Sequence, residues 1–383
     1  MRNNSKSIIF FVLFVFFITS SFAFLYPFSN EFSFSFADVS TSAKSMCVME
    51  AGSKRVLYEK NSDQKLAMAS TTKIMTAITA IESGKDLDEV FEVSKKSIGV
   101  PGTSLYLREG EKFTLRKLLY GLMLVSGNDA SVAIGEKVGG GVEHFVDMMN
   151  WKARQIGAFN THFENTHGLD AEGHYTTAED LALISSYALQ NPAFKEIVST
   201  KNIQVTNEDG KIRYFKNKNK LLSSLDGAVG VKTGFTDDAG RCLVSAAERD
   251  GMTIVCVVLN CGPMFEESAT LLESAFNEFE LKDLTKGYEF RKTVDVEDGR
   301  SDCVQVSTDG KFLYPLKKGE EELVKYEYSI NEKVTAPVKK GDEIGEIKIF
   351  LDNNLLFSEK IFTMEDIKEK GILQKIFDVI SQW

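Results

Sequence analysis

The sequence predicts an α+β protein: one antiparallel sheet covered by helices with a helical subdomain, then a small all-β domain and a C-terminal amphipathic helix. Three observations predict it. Two strand-like stretches, 46–50 and 56–59, flank the Gly52-Ser53 turn as a hairpin. A block of helical periodicity then precedes a second set of strands at 228–233, 243–248 and 252–259, closed by a helix at 266–279. After about Leu281 that periodicity stops. Short alternating stretches at 293–296, 303–306, 322–328, 346–350 and 355–362 follow, separated by Gly and Asp turns. Helical spacing returns from 367 to 383, with Ile372, Leu373, Ile376, Phe377, Ile380 and Trp383 on one side.

The first residues read as a secretory signal lying outside the fold. Arg2 and Lys6 supply positive charge, residues 8–18 are wholly apolar, and small-x-small sites end at Ala23 and at Ala37. Cleavage is expected after Ala23 or Ala37; the alternative is an uncleaved N-terminal anchor. The expected organisation is therefore a signal peptide at 1–37, a mixed domain at 38–281, a β domain at 282–363 and an amphipathic helix at 364–383. A chain that is 43% hydrophobic and 26% charged fits neither a disordered nor a multi-span membrane protein. The net charge of -10 argues against nucleic acid as a partner, since a phosphate backbone needs a basic face. Five cysteines (Cys47, Cys242, Cys256, Cys261, Cys303) are odd in number and scattered. They read as buried small hydrophobes, with one bridge left open.

Within the mixed domain, a helix is expected from Ser70 to about Ser83, stopped by Gly84. It is apolar on most sides, so it should run through the core and leave Lys73, its one early cation, largely desolvated. Further helices are expected at 115–125, 130–138, 142–156 and 178–189. Three short motifs occur in order: Ser70-Thr71-Thr72-Lys73 opening the core helix, Ser126-Gly127-Asn128 in a helix break, and Lys232-Thr233-Gly234 ending an apolar strand.

Each suits one part of an acyl transfer. Ser70 sits at a helix start, where unsatisfied N–H groups favour a hydroxyl that gains negative charge. Lys73 lies one turn along the same face and acts as a base only if its pKa falls. Burial and a second ammonium, Lys232, would both lower it. Ser126 is suited to pass a proton to a leaving amine, and Asn128 to hold a substrate amide. Lys232 and Thr233 can grip a free carboxylate, and Gly234 lets a substrate backbone lie close to the strand.

The stretches around these motifs, Met68-Ala69-Ser70-Thr71-Thr72-Lys73-Ile74-Met75-Thr76, Leu124-Val125-Ser126-Gly127-Asn128-Asp129-Ala130 and Val231-Lys232-Thr233-Gly234-Phe235-Thr236-Asp237, resemble the serine-type D-Ala-D-Ala carboxypeptidases, the low-molecular-mass penicillin-binding proteins. So does Asn165-Thr166-His167-Gly168-Leu169-Asp170 followed by His174-Tyr175-Thr176-Thr177-Ala178. The resemblance implies a penicillin-binding-protein/β-lactamase-like fold with a transpeptidase-like catalytic domain. It implies removal of the terminal D-alanine from the peptidoglycan pentapeptide stem through an acyl-enzyme on Ser70, acylation by β-lactam antibiotics, and no metal or cofactor. It places the second oxyanion donor at the N–H of Phe235. It also implies an exported enzyme held at the outer face of the cytoplasmic membrane, with peripheral contact through the terminal helix. Two departures stand out. Where relatives often carry an arginine before the third motif, this chain has Lys218 with Lys220 beside it, and Phe235 replaces a frequent histidine.

Blander roles are expected elsewhere. His167 and His174 shape loops, Asp170 and Asp237 fix turns, and Asp129 caps the helix that starts at Ala130. The terminal helix either anchors at a membrane surface or packs back on the β domain. Two rivals remain: a class A-like β-lactamase, and a penicillin-binding sensor or scaffold without turnover. The first lacks its Glu-x-x-Leu-Asn pattern in Phe163-Glu164-Asn165-Thr166-His167-Gly168 and has Gly127 where aspartate is preferred. The second is disfavoured because every motif residue is present.

Overall fold

The computed structural model describes residues 40–285, 292–308, 310–373, 376 and 380; the signal read at 1–37 lies outside them. Five antiparallel strands form the main sheet, in the order Val56–Lys60, Ser45–Glu50, Met252–Leu259, Gly240–Arg249, Ala228–Thr236. The central strand Met252–Leu259 is apolar at nearly every position because both faces are covered. Val255, Val257 and Leu259 enter a core shared with the helical lobe, and Ile254, Cys256 and Val258 enter one shared with the helix Met264–Glu278. All five cysteines are free; four are buried, whereas Cys303 is exposed on the β domain, contrary to the reading of all five as interior.

The helix Lys73–Ile81 runs through the first core, as its all-round apolar character demands. Ile74, Met75 and Ile78 are fully buried, each contributing roughly 1.5–3 kcal/mol. Its first turn corrects the sequence reading: Ala69–Thr72 is a 3₁₀ turn, and the α-helix begins only at Lys73. The expected helix 115–125 is also altered. It is α-helical over Leu115–Tyr120 and widens into a π-turn over Gly121–Val125, which delivers Ser126 in the left-handed region at φ 74°. Gly121 permits this, since a Cβ there would lie 2.3 Å from Leu105 Cδ1.

Among the elements not foreseen, three bear on the cleft or on the junction with the β domain. The helix Pro192–Ser199 is capped by Asn191, whose side chain accepts from the N–H groups of Ala193 and Phe194. The hairpin Asn202–Thr206 with Ile212–Lys216 leads toward Lys218. The third lies where the helix 266–279 was expected to end: Phe279–Asp283 is a strand that pairs with Leu313–Lys317.

The β domain is a six-stranded sheet around Val294, Val304, Ile347 and Ile361. Ile367 packs into this core and bridges Val338. Beyond it, Ile372 and Leu373 are 80% and 76% exposed, and Ile376 and Ile380 are also exposed, so at these positions the alternative of packing back on the β domain does not hold. Phe377 and Trp383 lie outside the described residues.

Arg55, from the hairpin turn of the main sheet, joins the two domains. Its guanidinium donates to both Glu320 carboxylate oxygens at 2.8 and 2.7 Å and to the Pro315 carbonyl at 2.6 Å. It also lies 5.3 Å and 5.2 Å from the ring centres of Phe279 and Tyr314. Removing one partner of so enclosed a pair strands the other. Arg55→Ala is therefore expected to cost about 2–4 kcal/mol and to split a single calorimetric unfolding transition into two.

Candidate active site

Three elements converge on Lys73. Its Nζ donates to Ser70 Oγ at 2.9 Å, to Asn128 Oδ1 at 2.7 Å and to the His167 carbonyl at 2.5 Å, and the residue has no solvent exposure. Burial drives its pKa well below the usual lysine range; the charges of Lys232 and Lys218 lower it further, and Asp129 opposes them weakly. Lys232 is equally buried, and burial together with Lys218 brings it to about 7. The charge on Lys232 thus favours the neutral form of Lys73.

The turn that carries Ser70 is set by two glycines. Ala69 adopts φ 48°, and Gly168, at φ +89°, packs so closely that a Cβ would fall 1.9 Å from the Ala69 carbonyl oxygen. A Cβ on Gly234 would lie 3.0 Å from the Ser70 nitrogen and 3.1 Å from both Ala69 Cβ and the Met68 oxygen. The sequence reading gave Gly234 to substrate approach; its bare backbone first makes room for the turn that carries Ser70. The loop carrying Gly168 is held by Thr76 Oγ1, which donates to the Thr166 carbonyl at 2.7 Å, and by Asn165, which accepts from Gly168 N–H at 2.7 Å.

Ser126 Oγ is buried and has no hydrogen-bond partner among the described residues. Asn128 has both ends of its amide committed inside the protein, Oδ1 to Lys73 and Nδ2 to the Pro101 carbonyl at 2.6 Å, so it positions the ammonium rather than standing free. Asp129 corrects an expectation. It is not the helix cap; its carboxylate accepts from Ser104 Oγ and from the N–H groups of Leu105 and Leu107, bracing the loop beside the cleft. His167 and His174 are both held at about 4 by burial, with Lys73 adding to the shift at each, and stay neutral. His174 joins Thr72 Oγ1 at 2.8 Å to the Glu164 N–H at 3.0 Å, a structural bridge. Asp170 accepts from Thr236 Oγ1 at 2.8 Å, tying the loop to the strand end.

These groups border a cleft of about 430 Å³ lined by Ser70, Ser126, Thr233, Gly234 and Phe235, with Lys218 and Arg241 as its cations and Met264 and Phe265 as an apolar wall. Lys73 and Lys232 lie beneath this surface, Lys232 donating to the Thr233 carbonyl at 2.9 Å. Sequence reading missed Arg241 and the Met264-Phe265 wall. Neither belongs to a motif; hairpin register and the start of a distant helix bring them in.

A family described as D-alanyl-D-alanine carboxypeptidase matches residues 32–262, and one described as the C-terminal domain of penicillin-binding protein 5 matches 279–369. The chain belongs to the D-alanyl-D-alanine carboxypeptidase family. DacF of Bacillus subtilis, named for that activity, is 32% identical over 355 residues covering 91% of both chains. DacC of Escherichia coli, likewise named, is 33% identical over 90% of both. Penicillin binding protein 5 from Haemophilus influenzae superposes with a TM-score of 0.73 at 28% identity, covering 87% of this chain and 99% of that one. A mutant of the Streptomyces K15 DD-transpeptidase superposes at 0.58 with 37% identity, covering 61% and 97%. This D-alanyl-D-alanine carboxypeptidase is thus a serine-type hydrolase with the two-domain layout of penicillin-binding protein 5. The β-lactamase alternative fails on that second domain. It also fails on Glu164, an exposed carboxylate whose neighbour, at 3.3 Å, is the His162 ring.

A methyl group on Gly168 would displace the Ala69 carbonyl and with it Ser70. Gly168→Ala is expected to cost about 2–4 kcal/mol, lowering Tm by several degrees. Intact-mass detection should show loss of most covalent penicillin adduct even where the variant remains folded.

Proposed function

We propose that the cleft removes the C-terminal D-alanine of peptidoglycan stem peptides through an acyl-enzyme on Ser70. The observation that carries this reading is the 2.9 Å contact between Ser70 Oγ and a fully buried Lys73 Nζ whose pKa is depressed. In its neutral form Lys73 takes the Ser70 proton as Oγ bonds to the scissile carbonyl carbon. The developing oxyanion is received by the N–H groups of Ser70 and Phe235, donors worth a few kcal/mol each in such sites. Collapse of the tetrahedral intermediate breaks the C–N bond, and the proton returns from Lys73 through the unpartnered Ser126 hydroxyl to the leaving amine. Water, activated by the same lysine, then hydrolyses the acyl-enzyme. Asn128 holds Lys73 in line. The Thr233 hydroxyl meets the free carboxylate, Lys232 supplies positive potential from below, and Gly234 keeps the strand against the nucleophile. β-Lactams enter the first half of the same path and stall as acyl-enzymes. No cofactor takes part.

The enzyme is proposed to work outside the cytoplasm, held at the membrane surface. Supporting this is the exposed apolar set Ile372, Leu373, Ile376 and Ile380, which, with the charged Lys375 and Asp378 interspersed in the sequence, suits a bilayer's interface. Among the described residues no helix is long and apolar enough to cross a membrane. Truncation before Ile372 leaves Ile367 in its core and is expected to move the protein from the membrane fraction to the soluble one without loss of D-alanine release. Unchanged partition would overturn the anchor.

The reaction itself is tested with diacetyl-Lys-D-Ala-D-Ala. Wild type should release D-alanine, and Ser70→Ala should lower kcat by about 10⁴-fold or more. The pH dependence of kcat/KM follows from the two lysines. It should rise as Lys73 loses its proton, because only the free amine is a base. It should fall above about 7, where Lys232 loses the charge that favours a carboxylate. A profile without an acid limb would remove Lys73 from the role of base.

A further inference from the structure

Four cations surround the cleft, yet two of them cannot touch a ligand in it. Lys73 is enclosed by Ser70, Asn128 and the His167 carbonyl, and Lys232 is turned onto the Thr233 carbonyl beneath the strand. Lys218 and Arg241 open onto it. Arg241 is fixed by backbone from both sides. It pairs with Phe235 across the hairpin, and its carbonyl accepts from the Cys261 N–H at 2.9 Å. In that register Thr233 faces Leu243, so Thr233 and Arg241 project from the same sheet face as diagonal neighbours, a separation that a long side chain spans.

The Arg241 side chain has no hydrogen-bond or ion-pair partner among the described residues, although Asp237 and Asp238 stand in the turn beside it. Asp170, on the loop tied to this strand end, is engaged by Thr236. An unspent guanidinium facing a cleft beside a threonine hydroxyl is a bidentate receptor for a carboxylate.

We infer that Arg241 is the direct anchor of the substrate's free α-carboxylate, gripping it together with the Thr233 hydroxyl and so making the enzyme selective for a chain terminus. The inference rests on the proposed reading of the cleft as a D-Ala-D-Ala site and adds the residue that reads the terminus. Burial lowers the pKa of Lys218 and, with the charge of Lys218, brings Lys232 to about 7.

The test compares two acetyl-D-alanyl thioesters differing in one group: one leaves as thioglycolate, the other as its neutral methyl ester. The readout is the ratio of their kcat/KM values, with D-alanine release from diacetyl-Lys-D-Ala-D-Ala measured alongside. In Arg241→Leu the preference for the carboxylate donor is expected to fall about 10- to 100-fold, the worth of charge-assisted hydrogen bonds, mainly through KM. Arg241→Lys should restore part of it, since charge is kept but the fork is lost. Arg241 is exposed on a hairpin, and an unchanged Tm would confirm that both variants fold. The inference is overturned if the preference survives in Arg241→Leu, if both donors decline together, or if Lys218→Met rather than Arg241→Leu abolishes the preference. Failure of the wild type to release D-alanine at all would instead overturn the reading of the cleft.

Discussion

A lysine ammonium with no exposure, held by Ser70 Oγ, Asn128 Oδ1 and the carbonyl of His167, constrains most of the structure around it. A buried charge is tolerated only where its hydrogen bonds are complete or its proton can leave. Here both conditions hold. Three acceptors from three separate segments reach Nζ, and the second ammonium at Lys232 favours the neutral amine. The apolar helix Lys73–Ile81 supplies the desolvation, the loop after Asn165 supplies a carbonyl, and the π-turn before Ser126 brings Asn128 alongside.

That constraint explains features with no direct chemical task. Thr76 and Ser131 hold Thr166, so the His167 carbonyl stays aimed at Nζ. Gly168 and Gly234 lack side chains because the turn that carries Ser70 fills the space a Cβ at either would need. Two neutral histidines, each with burial and a nearby cation against its charged form, serve as hydrogen-bonding spacers. The main sheet contributes rigidity: its central strands are covered on both faces, and its edge strand Ala228–Thr236 is left open to the cleft.

Much of the fold was legible because its signals are local. A continuous apolar run marked the strand Met252–Leu259, and helical periodicity marked Val142–Ile156 and Ala178–Ala188 to within a residue. The misses share a cause. Pro192–Ser199 is short and follows a helix closely, the Asn202–Lys216 hairpin is half exposed, and Phe279–Asp283 continues directly from a helix. None carries a period long enough to read.

The sequence by itself determined the motif residues, their order and the kind of chemistry they suit, because residue type and spacing within one helix turn are local properties. It also determined that the core helix would bury its lysine. Only the tertiary structure decided which cations meet solvent in the cleft, that Asn128 serves Lys73, that Asp129 braces a loop, and that Arg241 stands beside Thr233. Those outcomes depend on strand register and on contacts between segments tens of residues apart, which no local pattern encodes.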